Sequence, residues 1–149
     1  MAGAVSQRTY RDGGGIEMGG MAVHFSSATD RWATPSAVYA ELDKEFRFNF
    51  DPCPLDGEDD GLLPLYSSWT GKRVFCNPPY GPGLDKWLKR GLEAELAVFL
   101  IPARTDTRWF HEIVMPNAKE IRFLRGRLKF GGAVYNAPFP SMVVVFTGE

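Results

Sequence analysis

The chain has 149 residues, 44% of them apolar and 13% aromatic, enough to bury one sizeable core and no more, which predicts a single domain. Two cysteines that match no metal-ligand spacing, no signal peptide and no long apolar span predict a reduced, cytoplasmic, soluble protein with neither a metal site nor a membrane segment. The formal net charge of -1 divides unevenly, with 5 Lys/Arg against 11 Asp/Glu in residues 1–71 and 12 against 7 in residues 72–149.

Residues 1–28, rich in glycine and without a sustained period, read as a flexible tail, and His24 within them takes no role. The ordered domain is expected over 29–149. Thr34 followed by Pro35 reads as a helix start, with threonine as N-cap and proline at the first helical position. Val38, Leu42 and Phe46 then share one face. "FRFNFD" alternates as a short strand ending at Asp51–Pro52, and 52–70 reads as a long loop.

"KRVFCN" is a second strand, followed by the helix "LDKWLKRGLEAE" with Leu84, Leu88 and Leu92 at fourfold spacing. "LAVFLIP" has the continuous apolar run of a strand covered on both faces. "TDTRWFHEIVM" is an amphipathic helix capped by Thr105 or Asp106, with Trp109, Phe110, Ile113 and Val114 inward and His111 on the surface. "EIRFLRGRLKF" and "SMVVVFTG" close the chain as strands. The alternation argues for an α/β layered fold with the closing strands antiparallel at an edge.

Lys86, Lys89, Arg90, Arg104, Arg108, Arg122, Arg125, Arg127 and Lys129 would suit a surface facing a polyanion such as nucleic acid. Ordinary solvated helix and strand faces account for them equally well.

"VFCNPPYG" puts Asn77, Pro78, Pro79 and Tyr80 directly behind a strand, in the crevice where α/β sheets usually bind ligands. Prolines donate no backbone hydrogen bond, so the stretch offers the Asn77 oxygen and nearby carbonyls beside an aromatic ring, a site for a planar group bearing an NH2. The four letters match the "(D/N/S)PPY" motif and so resemble the S-adenosyl-L-methionine-dependent amino-methyltransferases. That resemblance implies direct methyl transfer to the exocyclic N6 of adenine, with Asn77 to Tyr80 as catalytic residues. Tyr80 would stack on a flipped base, worth roughly 1–3 kcal/mol.

"WATP" is similar to a "TPxxV" element that helps hold the cofactor, which implicates Trp32, Thr34 and Pro35. "FDPCPLDG" resembles the opening of a "DPxxGxG" cofactor motif, which implicates Asp51 and Pro52, and Asn77 joins them as a candidate cofactor contact. It lacks the Gly-x-Gly, so the ribose contact is unassigned; Asp56, Glu58, Asp59 and Asp60 read better as a solvated acidic loop. Taken in order, "WxTP", "FDPCP", "VFCNPPYG", "LIPARTDTRWF", "GRLKF" and "PFPSMVVVF" resemble the phage-type DNA N-6-adenine methyltransferase (Dam) family over about residues 30–147.

The family resemblance implies a reduced Rossmann-like sheet, mostly parallel with antiparallel edge strands and helices on both faces. It also implies S-adenosyl-L-methionine as cofactor, double-stranded DNA as partner and a bacterial cytoplasm, in a phage or prophage setting; a homodimer is compatible with it. Lys86, Arg104, Arg108, Arg125, Arg127 and Lys129 become candidate DNA contacts, chiefly to phosphate. Two other readings stay open: an RNA-adenine or protein-glutamine methyltransferase, and a non-catalytic DNA-binding module on the same fold.

Overall fold

The computed structural model describes residues 4–8 (as backbone), 32–53, 68–131 and 136–148. Its elements are β1 (Ala4–Arg8), α1 (Ser36–Phe46), β2 (Arg73–Cys76), α2 (Leu84–Gly91), β3 (Leu96–Pro102), a π-helical stretch Phe110–Val114 running into α3 (Met115–Asn117), β4 (Glu120–Leu124) and β5 (Ser141–Thr147). The five strands form one sheet in the order β1-β4-β5-β3-β2. Strand β1 falls inside the segment whose composition predicts a flexible tail; it pairs in parallel with β4, while the rest of that segment, His24 included, lies outside the described residues.

The fold is α/β, but the sheet is mixed rather than mostly parallel. β1 with β4 and β2 with β3 run parallel, and β5 is antiparallel to both β3 and β4. The antiparallel strand is therefore the middle one, not an edge. Its burial explains the position: Ser141 to Phe146 are all buried, as are all seven residues of β3, and two continuous apolar strands are most favourably placed side by side in the interior.

Register assigns the faces. Phe75 lies beside Val98, Val98 beside Val145 and Val145 beside Glu120, and α1 covers that face, with Tyr39 edge-on to Phe75 at 5.0 Å. Phe99 points to the other face. There Gly91 of α2 lies so close that a Cβ would be 2.4 Å from Phe99 Cε2. Only a glycine fits at that point of the helix, which ends at Gly91, short of the predicted span, with Leu92 42% exposed instead of inward. Trp87 takes the buried place, against Trp69.

Three other expectations change. "FRFNFD" pairs with β2 only at Asn49 and Phe50, because Arg47 turns the chain with φ 56° and Pro52 has no N–H to extend the ladder. β4 stops at Leu124, where Gly126 takes φ 78°. Arg122 is not on a surface: it is 2% exposed on the α1 face, donates to Glu45 and Glu120, and lies 5.2 Å from the Phe46 ring. No described helix is long and apolar enough to cross a membrane.

Candidate functional site at the carboxyl rim of the sheet

Strand directions bring the site together. β2 and β3 are parallel, so Asn77–Tyr80 and Ala103–Arg104 leave the same end of the sheet. β5 starts at that end, with Ala103 N–H donating to the Pro140 carbonyl at 2.8 Å, and β4 finishes there, delivering Arg125 to Gly131 to the same rim. Phe50 pairs in parallel with Val74, so Asp51 also emerges there.

Asn77 is the hub. It is 9% exposed, and its carboxamide is held at three points. Nδ2 donates to the Trp32 carbonyl at 2.5 Å and to Thr34 Oγ1 at 3.0 Å, and Oδ1 accepts from Tyr80 Oη at 2.7 Å. A carbonyl only accepts, so Trp32 sets which end of the amide is nitrogen. The Tyr80 hydroxyl also lies 3.1 Å from the Leu100 carbonyl. Burial, with smaller contributions from Cys76 and Cys53, pushes that hydroxyl well above its ordinary range, so it stays protonated.

Tyr80 is consequently not an open stacking platform. It is 6% exposed, and its ring meets Phe139 at 5.5 Å and Phe130 at 6.4 Å, both near edge-on. The physical reason is the aromatic cluster around it: Trp32 lies 5.5 Å from Phe130 and 5.4 Å from Phe139. The chain after Leu128 folds back over this corner, with Gly131 N–H donating to the Ala33 carbonyl. Phe130 is thus 1% exposed. Pro78 is buried and Pro79 half-buried.

The candidate cofactor residues converge only in part. Trp32 and Thr34 are joined to Asn77 directly. Thr34 does not cap α1; Pro35 occupies the N-cap position and no side chain caps the helix. Asp51 is half-buried, and its Oδ1 accepts from Cys53 N–H at 3.0 Å. A carboxylate at the rim has the chemistry to accept from an ammonium group, such as the one at the methionine end of S-adenosyl-L-methionine. Pro52 is buried beside it, and Asp56, Glu58, Asp59 and Asp60 lie outside the described residues. Burial first, then Cys53 and Asp51, raise the Cys76 thiol well above its ordinary range. Among the described residues no His, Cys, Asp and Glu group is placed to hold a metal ion.

Of the candidate DNA contacts, Lys86, Arg104, Arg108, Arg125 and Arg127 are exposed and Lys129 is half-buried. Arg104 stands at the rim, 5.8 Å from the Phe139 ring. Arg108 pairs with Glu112 at 3.3 Å on an exposed helix face, and Arg127 Nη1 reaches the Ala137 carbonyl at 3.5 Å. Trp109 is half-buried and packs against the core; with Lys89, Arg108 and Ile113 it also lines a cleft of ≈ 550 Å³ beside the Gly81–Leu84 turn. The cap of the following helix is Thr107, whose Oγ1 accepts from Phe110 N–H, not Thr105 or Asp106. His111 is exposed, its Nε2 2.7 Å from the Thr105 carbonyl.

Phe139 and the Leu100 carbonyl are the site members that local sequence did not single out. Their only signal was position, one before the last strand and one inside an apolar run.

Comparison with curated proteins and with solved structures finds no match. The family model described as DNA N-6-adenine-methyltransferase (Dam) matches residues 23–145, a span containing the rim, the Asn77 hub and every described strand except β1 and the end of β5. A match over well more than half of the chain means that the chain belongs to the DNA N-6-adenine-methyltransferase (Dam) family.

Proposed function

We infer that this chain transfers a methyl group from S-adenosyl-L-methionine to the exocyclic N6 of an adenine turned out of double-stranded DNA. The observation that carries the reading is the Asn77 carboxamide, buried, fixed in one orientation and set at the carboxyl end of β2. Family membership supports adenine in DNA as the acceptor.

The bound cofactor supplies a methyl group on a sulfonium; the remaining tasks fall to the protein. An aromatic amine is a weak nucleophile because its lone pair is delocalised into the ring. Asn77 Oδ1 keeps a second lone pair after accepting from Tyr80, and with the Pro78 carbonyl it accepts the two amine hydrogens. Holding both favours a pyramidal nitrogen with its lone pair free. The same acceptors stabilise the positive charge that grows as the carbon–nitrogen bond forms, so their effect is largest in the transition state. The proton then leaves a strongly acidic ammonium for solvent, and no side-chain base is required.

Tyr80 acts in this reading as the brace of Asn77. Its face becomes available for stacking on the base only when the Phe130 and Phe139 contacts open. Asp51 accepts from the cofactor ammonium, with Pro52 shaping the turn and Trp32 and Pro35 lying against the methionine end, while the Thr34 hydroxyl is engaged by Asn77. Lys86, Arg104, Arg108, Arg125, Arg127 and Lys129 supply phosphate contacts.

Incubation of the chain with methyl-labelled cofactor and adenine-containing duplex DNA tests the reading, with RNA and a glutamine-containing protein as competitors. Label in N6-methyladenine of DNA is the expected result. A folded chain that binds cofactor but labels none of the three acceptors would refute it. Asn77→Ala is expected to abolish turnover while leaving cofactor affinity within about twofold, since its oxygen faces the amine.

A further inference from the structure

Thr34 reads in the sequence as an N-cap, yet Pro35 takes that position and the Thr34 hydroxyl caps no helix. The oxygen is 3.0 Å from Asn77 Nδ2 across 43 residues of chain, and the Trp32 carbonyl accepts from the same nitrogen. A helix start that forgoes its customary cap to meet a buried side chain is spending that oxygen on orientation. Both hydrogens of the Asn77 amide then have acceptors in one short segment, Trp32 to Thr34, and a flipped amide would set oxygen against the Trp32 carbonyl.

We propose that Thr34 is a positioning residue for methyl transfer, holding the Asn77 carboxamide so that the second lone pair of Oδ1 faces the incoming amine. The threonine acts through Asn77 rather than as a contact of the cofactor. The proposal rests on the reading of Asn77 as the acceptor of the amine, and it adds a reason for the WATP segment to lie ahead of α1: Trp32 and Thr34 are the two acceptors that the carboxamide needs.

Thr34→Val removes the acceptor at nearly constant volume, and Thr34→Ser restores it. The first measurement needs neither cofactor nor DNA. The side-chain NH2 signals of Asn77, assigned in the nuclear magnetic resonance spectrum by their loss in Asn77→Asp, should exchange slowly with solvent in wild type and in Thr34→Ser, and at least about tenfold faster in Thr34→Val. In the methylation assay Thr34→Val should lower kcat about tenfold, with the dissociation constant of S-adenosyl-L-methionine unchanged and Thr34→Ser within about twofold of wild type.

Unchanged amide exchange in Thr34→Val would overturn the proposal. So would a rise in the cofactor dissociation constant at constant kcat, which would make Thr34 a cofactor contact. If valine is not accommodated in the fold, Thr34→Ala carries the same comparison. A wild-type chain without methyl transfer would refute the proposed function and the catalytic half of this inference, whereas the exchange measurement separately decides whether Thr34 holds the amide.

Discussion

Replacing Tyr80 by phenylalanine separates the ring of the motif from its oxygen. The substitution keeps the edge-on contacts with Phe139 and Phe130 and deletes a hydroxyl that lies 2.7 Å from Asn77 Oδ1 and 3.1 Å from the Leu100 carbonyl. Asn77 is 9% exposed, so water replaces the lost donor poorly, and an unpaired buried acceptor costs about 1–3 kcal/mol. Taking the middle of that range, about 2 kcal/mol, and 2–4 °C per kcal/mol for a domain near this size, the midpoint of thermal unfolding should fall by roughly 4–8 °C. The same loss frees the carboxamide at its oxygen end, and kcat for methyl transfer should drop about tenfold, the equivalent of about 1.4 kcal/mol. Circular dichroism melts and a labelled-methyl assay on the same preparation measure both. A variant with wild-type midpoint and wild-type kcat would refute the bracing role and leave only the ring with a function.

Raising pH should destabilise the chain through the same groups. Tyr80 and Cys76 have folded pKa values well above their ordinary ones, chiefly through burial, so the folded state keeps protons that the unfolded state releases. Their contribution is complete below the unfolded values and is lost as pH rises from about 8.5 for the thiol and about 10 for the phenol towards the folded ones. Urea unfolding from pH 7 to 10.5 should show the decline, and Cys76→Ala should delay its onset; a flat profile would refute the assignment. Arg122→Ala strands Glu45 and Glu120 beside a cavity and should cost about 3 kcal/mol, the lower end for a broken buried pair because the Glu45 side chain is 43% exposed. Arg122→Met fills the space and should cost clearly less in urea titrations, and equal losses would argue against the ion-pair account. Arg125→Gln and Arg127→Gln should each reduce the salt slope of DNA affinity by about 0.9 in fluorescence anisotropy. A slope matching wild type would remove these exposed rim residues from the interface.

Features that rest on contiguous residues were legible before any coordinates. The apolar run of β3, the periodic face of α1 and the placement of Asn77 to Tyr80 directly after β2 each depend on a local pattern, and all three stand in the structure. Helix ends were less legible. α2 ends at Gly91, where Phe99 leaves no room for a side chain, and the sequence of the helix carries no trace of that neighbour. Charge misled at Arg122, whose burial depends on β4 being flanked by β1 and β5 and covered by α1.

By itself the sequence determined the α/β class, the chemistry on offer at Asn77 to Tyr80 and, through the order of its short motifs, the family. Those follow from residue types and local spacing, which hold wherever the chain goes. Tertiary structure alone decided that β5 lies in the middle of the sheet, that Tyr80 is buried with its hydroxyl on Asn77, and that the Thr34 hydroxyl meets Asn77 rather than capping its own helix. Each of these is a competition for a partner far away in the chain. A hydrogen-bond acceptor, a stacking face or a strand edge goes to whichever neighbour buries it best, and that neighbour exists only once the chain has folded.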